Sequence, residues 1–166
     1  MLNFSNGRSR RTWANGLLLA VLASSLAVLS GQVLAADVKS GPSTSERLAD
    51  ARKFIDAKEW SKAMFELNQA ERDEPRNADV HNLLGYTYRK RATPDLAKAF
   101  EHYNTALKIN PKHKGAHEYI GEAYLMDKKP AEAEKHLAQL EVLCGNKSCE
   151  EYADLAKAIA DYKTKN

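Results

Sequence analysis

The sequence predicts an all-α fold: three helical hairpins stacked into an α-solenoid, with one more helix closing the end. Three observations predict it. Apolar residues recur at helical spacing, as in the series Leu96, Ala99, Phe100, Tyr103, Ala106 and Leu107. The same register returns in three copies: Ala51 to Gly85 and Ala99 to Ala133 are 34 residues apart, Gly85 to Gly121 and Ala63 to Ala99 are 36. Finally, two antiparallel helices of this length cannot hide their apolar stripe alone, so each hairpin needs a similar one against it.

Taken in order, residues 1–35 have the pattern of an export signal. A basic start (GRSRR) precedes the apolar run GLLLAVLASSLAVLS, and Val33-Leu34-Ala35 offers small residues for cleavage after Ala35. An uncleaved anchor is the alternative, since no charge lies between Arg11 and Asp37. Ser9-Arg10-Arg11-Thr12-Trp13 also has the form of a twin-arginine signal. The general secretory route is preferred, because no cofactor has to be inserted before export. Residues 36–43, with Gly41-Pro42, form a flexible lead-in.

The first hairpin occupies 44–77. Ser43 with Glu46 makes a capping box at its start, its first helix runs to about Ala57 and its second begins near Ser61. The second hairpin, 78–113, opens on Asn77 as cap with Asp79 in the first turn. The third covers 114–147. Pro94 and Pro130 are expected just inside second helices, where a missing amide costs nothing. The one two-residue insertion that reconciles the four spacings falls in the surface turn RATPD of the middle hairpin. Residues 148–166 form a capping helix, with Ser148 and Glu151 as its capping box and Tyr152, Leu155, Ala156, Ile159 and Tyr162 facing inward.

Gly85, Tyr88, Ala99, Tyr103, Ala106 and Pro111 fill the places of a 34-residue pattern. Ala51, Phe54, Trp60, Ala63, Leu67, Ala70 and Pro75 fill them upstream; Gly121, Tyr124, Ala133, Leu137 and Leu140 do so downstream, with Gly145 in the place of the proline. On these residues the chain resembles the tetratricopeptide repeat family over about residues 44–147, in a small exported bacterial form.

Composition narrows the function classes. The formal net charge is +3, but the three arginines at positions 8, 10 and 11 all lie in the leader. Removing them from the 25 basic residues leaves as many as the 22 acidic ones, interleaved along helix faces, which argues against nucleic acid as a partner. No glycine-rich phosphate loop and no nucleophile in a recognisable setting is present, and the serines of the exported part sit at helix starts or in the lead-in. An enzyme is therefore not expected, nor a cofactor.

Cys144 and Cys149 are the only cysteines and frame the turn CGNKSC. An even count in an oxidising compartment favours a structural disulfide; a redox pair is the alternative, although the spacing is not that of C-x-x-C. His81 and His117 hold the same register and are read as packing between helices. His113 and His117 have the i, i+4 spacing of a helical metal pair, but Lys112 and Lys114 flank the first, so no metal site is expected.

The expected function is that of an exported, periplasmic or secreted, protein–protein interaction module. Its partner would be a protein or peptide of the cell envelope, it would have no membrane association beyond the leader, and it would be a monomer or self-associate weakly. The alternative is an accessory subunit of an envelope enzyme or assembly machine acting through Cys144 and Cys149. The resemblance implies where a partner would lie, because the first helix of each such repeat lines a concave groove. Carried over, the groove positions are Leu48 and Arg52, Asn82 and Tyr86, Glu118 and Glu122, with Arg89 and Leu125 one turn further. The Lys, Asn and Arg set with which some family members hold a peptide carboxylate is not matched beyond Asn82. The implied ligand is an extended peptide with an apolar or aromatic anchor over Tyr86 and a basic group near the two glutamates.

Overall fold

A computed structural model of the chain describes residues 41–165; the leader and the first part of the lead-in lie outside the described residues. Seven helices are described and no strand: α1 (Thr44–Asp56), α2 (Trp60–Asp73), α3 (Ala78–Lys90), α4 (Leu96–Ile109), α5 (Lys114–Met126), α6 (Pro130–Cys144) and α7 (Glu150–Lys165). Each odd helix pairs with the even helix that follows it, α2 and α4 pass on to α3 and α5, and α7 packs against both α5 and α6. The fold is the expected α-solenoid of three hairpins and a closing helix.

Local chemistry sets the helix starts. Ser43 and Glu46 complete the capping box, with Glu46 N donating to Ser43 Oγ at 3.3 Å and Ser43 N to Glu46 Oε2 at 2.7 Å. Asn77 Oδ1 accepts from the amides of Asp79 and Val80 at 3.0 and 3.3 Å. Small residues at recurring positions let the helices approach. Ala51, Ala63, Ala99, Ala123 and Ala133 have no exposed surface, and a Cβ on Gly85 would meet the Tyr103 ring at 2.6 Å.

The inserted turn has a precise structural counterpart. In the first and third hairpins the turn passes through a left-handed residue, Lys58 or Lys128, each at φ 58°. The amide three residues beyond the helix then returns to its last turn, Glu59 N to Phe54 O at 2.8 Å and Lys129 N to Tyr124 O at 2.8 Å. The middle hairpin satisfies the same register carbonyl through its longer loop, Asp95 N to Tyr88 O at 3.0 Å.

That loop corrects one expectation. Pro94 does not lie inside α4; the helix begins at Leu96 with Asp95 as cap, whose carboxylate accepts from Lys98 N at 3.0 Å. A side-chain acceptor satisfies an orphan amide there, which a proline cannot do. Pro130 is the first residue of α6 as expected. Ser148 does not cap α7 either: the helix starts at Glu150, and the Ser148 amide and hydroxyl both donate to Asn146 Oδ1, at 2.9 and 2.8 Å. Leu155 and Ile159 are buried from α7, with Tyr152, Ala158 and Tyr162 packed beside them.

Candidate functional site

The groove positions separate by depth. Leu48, Asn82, Arg89, Glu118 and Leu125 are buried, Tyr86 and Glu122 are half-buried, and Arg52 is exposed. Arg52 and Tyr86 come together with Ile55, Asp56, Leu83 and Tyr119 around a cleft of about 240 Å³. Arg89, Glu122 and Leu125 line a second cleft of about 400 Å³, to which α7 contributes Asp161 and Tyr162. Leu48, Asn82 and Glu118 line neither. A depression of about 530 Å³ is walled only by residues 74–78 of one turn, with no side chains converging from elsewhere.

Aromatic rings tie the groove face together. The Tyr86 ring lies 4.8 Å from that of Tyr119 at 53°, and the Arg89 guanidinium sits 5.4 and 5.7 Å from the two ring centres. Arg89 Nε donates to the Tyr103 hydroxyl at 3.2 Å, and Nη2 lies 2.5 Å from Glu122 Oε2. The latter is a nearly buried ion pair. Arg89 thus links α3 to α4 and α5 from beneath the face.

The electrostatics follow from this crowding. Burial, then the charges of Glu122, Asp154 and Glu151, pushes the Glu118 carboxyl up to about 8, while Arg89 opposes the shift. Burial foremost also raises the Tyr119 phenol to about 12 and lifts those of Tyr86 and Tyr103. Asn82 is seated against Gly115, where a Cβ would lie 3.2 Å from its Nδ2; its Oδ1 is buried without a hydrogen-bond partner.

The histidines do not form the sequential pair considered above. His113 Nδ1 accepts from Ala116 N at 3.1 Å as a helix cap, and its Nε2 reaches Asp79 at 3.2 Å. His117 turns instead to His136, their Nδ1 atoms 2.9 Å apart, and His81 turns to His102 at 3.2 Å. Burial above all holds His102, His117 and His136 below the ordinary imidazole range, His136 down to about 4. Cys144 and Cys149 form a disulfide, with Cα atoms 6.1 Å apart, at the end of α6.

Sequence reasoning missed Tyr119, the contribution of α7, and His102 and His136. Tyr119 stands at the register of the inward-facing Leu83, so periodicity alone assigns it to the interior. The two histidines had a legible signal, a separation of 34 residues that matches the second-helix repeat.

No family model matches the chain, and no curated protein matches it. Among solved structures it is similar to the first TPR domain of the human RPAP3 protein, determined by NMR, with a TM-score of 0.60. The likeness covers 74% of this chain and 97% of that one at 16% identity, and it is one of fold, a tetratricopeptide-like helical repeat.

Proposed function

We propose that the protein is an exported protein–protein interaction module that holds a segment of a cell-envelope protein along the face built by α1, α3, α5 and α7. The observation that carries this reading is the half-buried Tyr86–Tyr119 pair opening on a cleft beside the exposed Arg52. Aromatic rings with one accessible face, flanked by charge, are the usual anchors of a peptide interface. Glu122 and Asp161 line the adjoining cleft, each already paired with a cation of this chain, Arg89 and Lys157.

Export rests on the leader pattern in residues 1–35, and the partner's location in the envelope follows from it. The resemblance to a repeat family that mostly binds proteins supports the same class of activity. Catalysis has no motif to support it.

The test is a pair of surface changes that leave the buried links intact. Arg52→Glu with Tyr86→Ala should weaken binding of a partner captured by copurification with the tagged chain by about 2 kcal/mol with helicity unchanged. Unchanged affinity would remove this face from consideration. The competing reading, a redox role for the cysteines, predicts instead that Cys144→Ser with Cys149→Ser abolishes function in a folded protein.

A further inference from the structure

Each hairpin carries a polar pair bridging its two helices at one register. In the first it is Arg47 with Glu66, Nη1 to Oε2 at 2.9 Å. In the second it is His81 with His102, and in the third His117 with His136. The middle pair has a neighbour that the last one lacks. Glu71, from α2 of the preceding hairpin, places Oε1 3.6 Å from His81 Nδ1 and 3.9 Å from His102 Nδ1. The residue at the register of Glu71 in the next hairpin is Leu107, 36 residues on, and no ion pair to His117 or His136 is found among the described residues.

The backbone fixes how the first histidine of each pair is presented. His81 Nε2 faces the Pro75 carbonyl at 2.9 Å, and His117 Nε2 faces the Pro111 carbonyl at 3.0 Å. A carbonyl can only accept, so Nε2 carries the proton, and in the neutral ring the Nδ1 lone pair is turned toward the partner histidine. Holding the remote ring N–H on a carbonyl is how proteins orient histidines that bind metals. His102 is held in turn by the Tyr88 ring, stacked at 5.5 Å and 11°.

We infer that Glu71, His81 and His102 bind one divalent transition-metal ion of the zinc class, through the two Nδ1 atoms and one carboxylate oxygen. Tetrahedral bonds of about 2.0–2.1 Å set ligand atoms roughly 3.3–3.4 Å apart. The three edges here, 3.2, 3.6 and 3.9 Å, bracket that value. Glu71 has a third of its side chain exposed and is free to close the two longer edges by a small rotation. Two imidazoles and a carboxylate suit zinc, copper or nickel, whereas magnesium and calcium require oxygen ligands. On binding, the proton that His102 Nδ1 shares with His81 Nδ1 moves to His102 Nε2, and the remaining coordination position stays open to water or a partner's side chain. The His117–His136 pair, its first ring held on a carbonyl in the same way but without the carboxylate, is a built-in control.

The experiment is equilibrium dialysis of the full chain, carrying no histidine tag, against zinc chloride and in parallel against magnesium chloride. The expected result is one equivalent of zinc retained and no magnesium. Glu71→Leu and His102→Gln should each weaken zinc binding at least tenfold, and His136→Gln should leave it unchanged. Glu71 is partly exposed, so Glu71→Leu should keep the metal-free melting temperature of the parent, which separates loss of a ligand from loss of the fold. Histidine ring nitrogen resonances should report Nδ1 ligation at His81 and His102. The inference is overturned if no zinc is retained, if binding survives both Glu71→Leu and His102→Gln, or if it is lost with His136→Gln.

Discussion

Glu122 on α5 lies 2.5 Å from the guanidinium of Arg89 on α3, and that guanidinium, 4% exposed, also donates to the buried Tyr103 hydroxyl on α4. Breaking such a pair from one side leaves a buried charge, which is worse than removing both partners. Glu122→Gln should therefore destabilise the fold by about 2–3 kcal/mol. Arg89→Met with Glu122→Gln should recover much of that loss. Urea unfolding of the two single variants and the double variant measures the coupling directly.

Glu118 makes stability depend on pH. Its folded carboxyl titrates near 8, against an ordinary 4.5, because burial and three neighbouring carboxylates disfavour its charge. Below pH 4.5 the group is protonated whether the chain is folded or not, and its contribution is fully present. Between 4.5 and 8 the unfolded chain gives up the proton and the folded chain retains it, so stability falls as pH rises, levelling off above 8. Glu118→Gln should match the parent in melting temperature near pH 4.5. Above pH 8 it should exceed the parent by about 1–2 kcal/mol, below the full linkage value because water screens the neighbouring carboxylates.

Lys58 and Lys128 hold the left-handed turns of the first and third hairpins at φ 58° with exposed side chains. Glycine adopts this conformation without the clash of a Cβ. Lys128→Gly should thus stabilise the protein by about 0.5–1 kcal/mol in thermal unfolding. Arg91→Gly, in the lengthened turn of the middle hairpin, should bring no such gain, since Arg91 is extended at φ −61°.

The Cys144–Cys149 bond closes a short loop between α6 and α7. The chain-entropy model assigns such a loop about 2 kcal/mol. Cys144→Ser with Cys149→Ser should lower the urea midpoint by a corresponding amount and leave partner affinity unchanged, because the loop lines neither groove cleft.

The repeat register was legible because close packing demands small residues at fixed places, Gly85 under Tyr103 and Gly121 under Leu155, with the fully buried Ala51 at the equivalent position of the first hairpin. Arithmetic on those places also located the insertion. Depth was less legible. Arg89 and Glu118 sit on the expected face, yet a long side chain folds back wherever it finds partners, and those partners lie on other helices. The same holds for Asp95, which displaced Pro94 as the helix start by accepting from Lys98 N. His81 and His102 are 21 residues apart, His117 and His136 only 19, and this difference of one insertion concealed that they are the same pair.

The central claim, that the odd-helix face receives the partner, is tested most directly by site-specific photo-crosslinking in cells that produce the protein. A photoreactive residue placed at Tyr86 should capture the partner, and the yield should fall when Arg52→Glu is added. The same probe at Phe65, 58% exposed on α2, should capture none. Capture from position 65 but not from 86 would contradict the account and move the interface to the even helices.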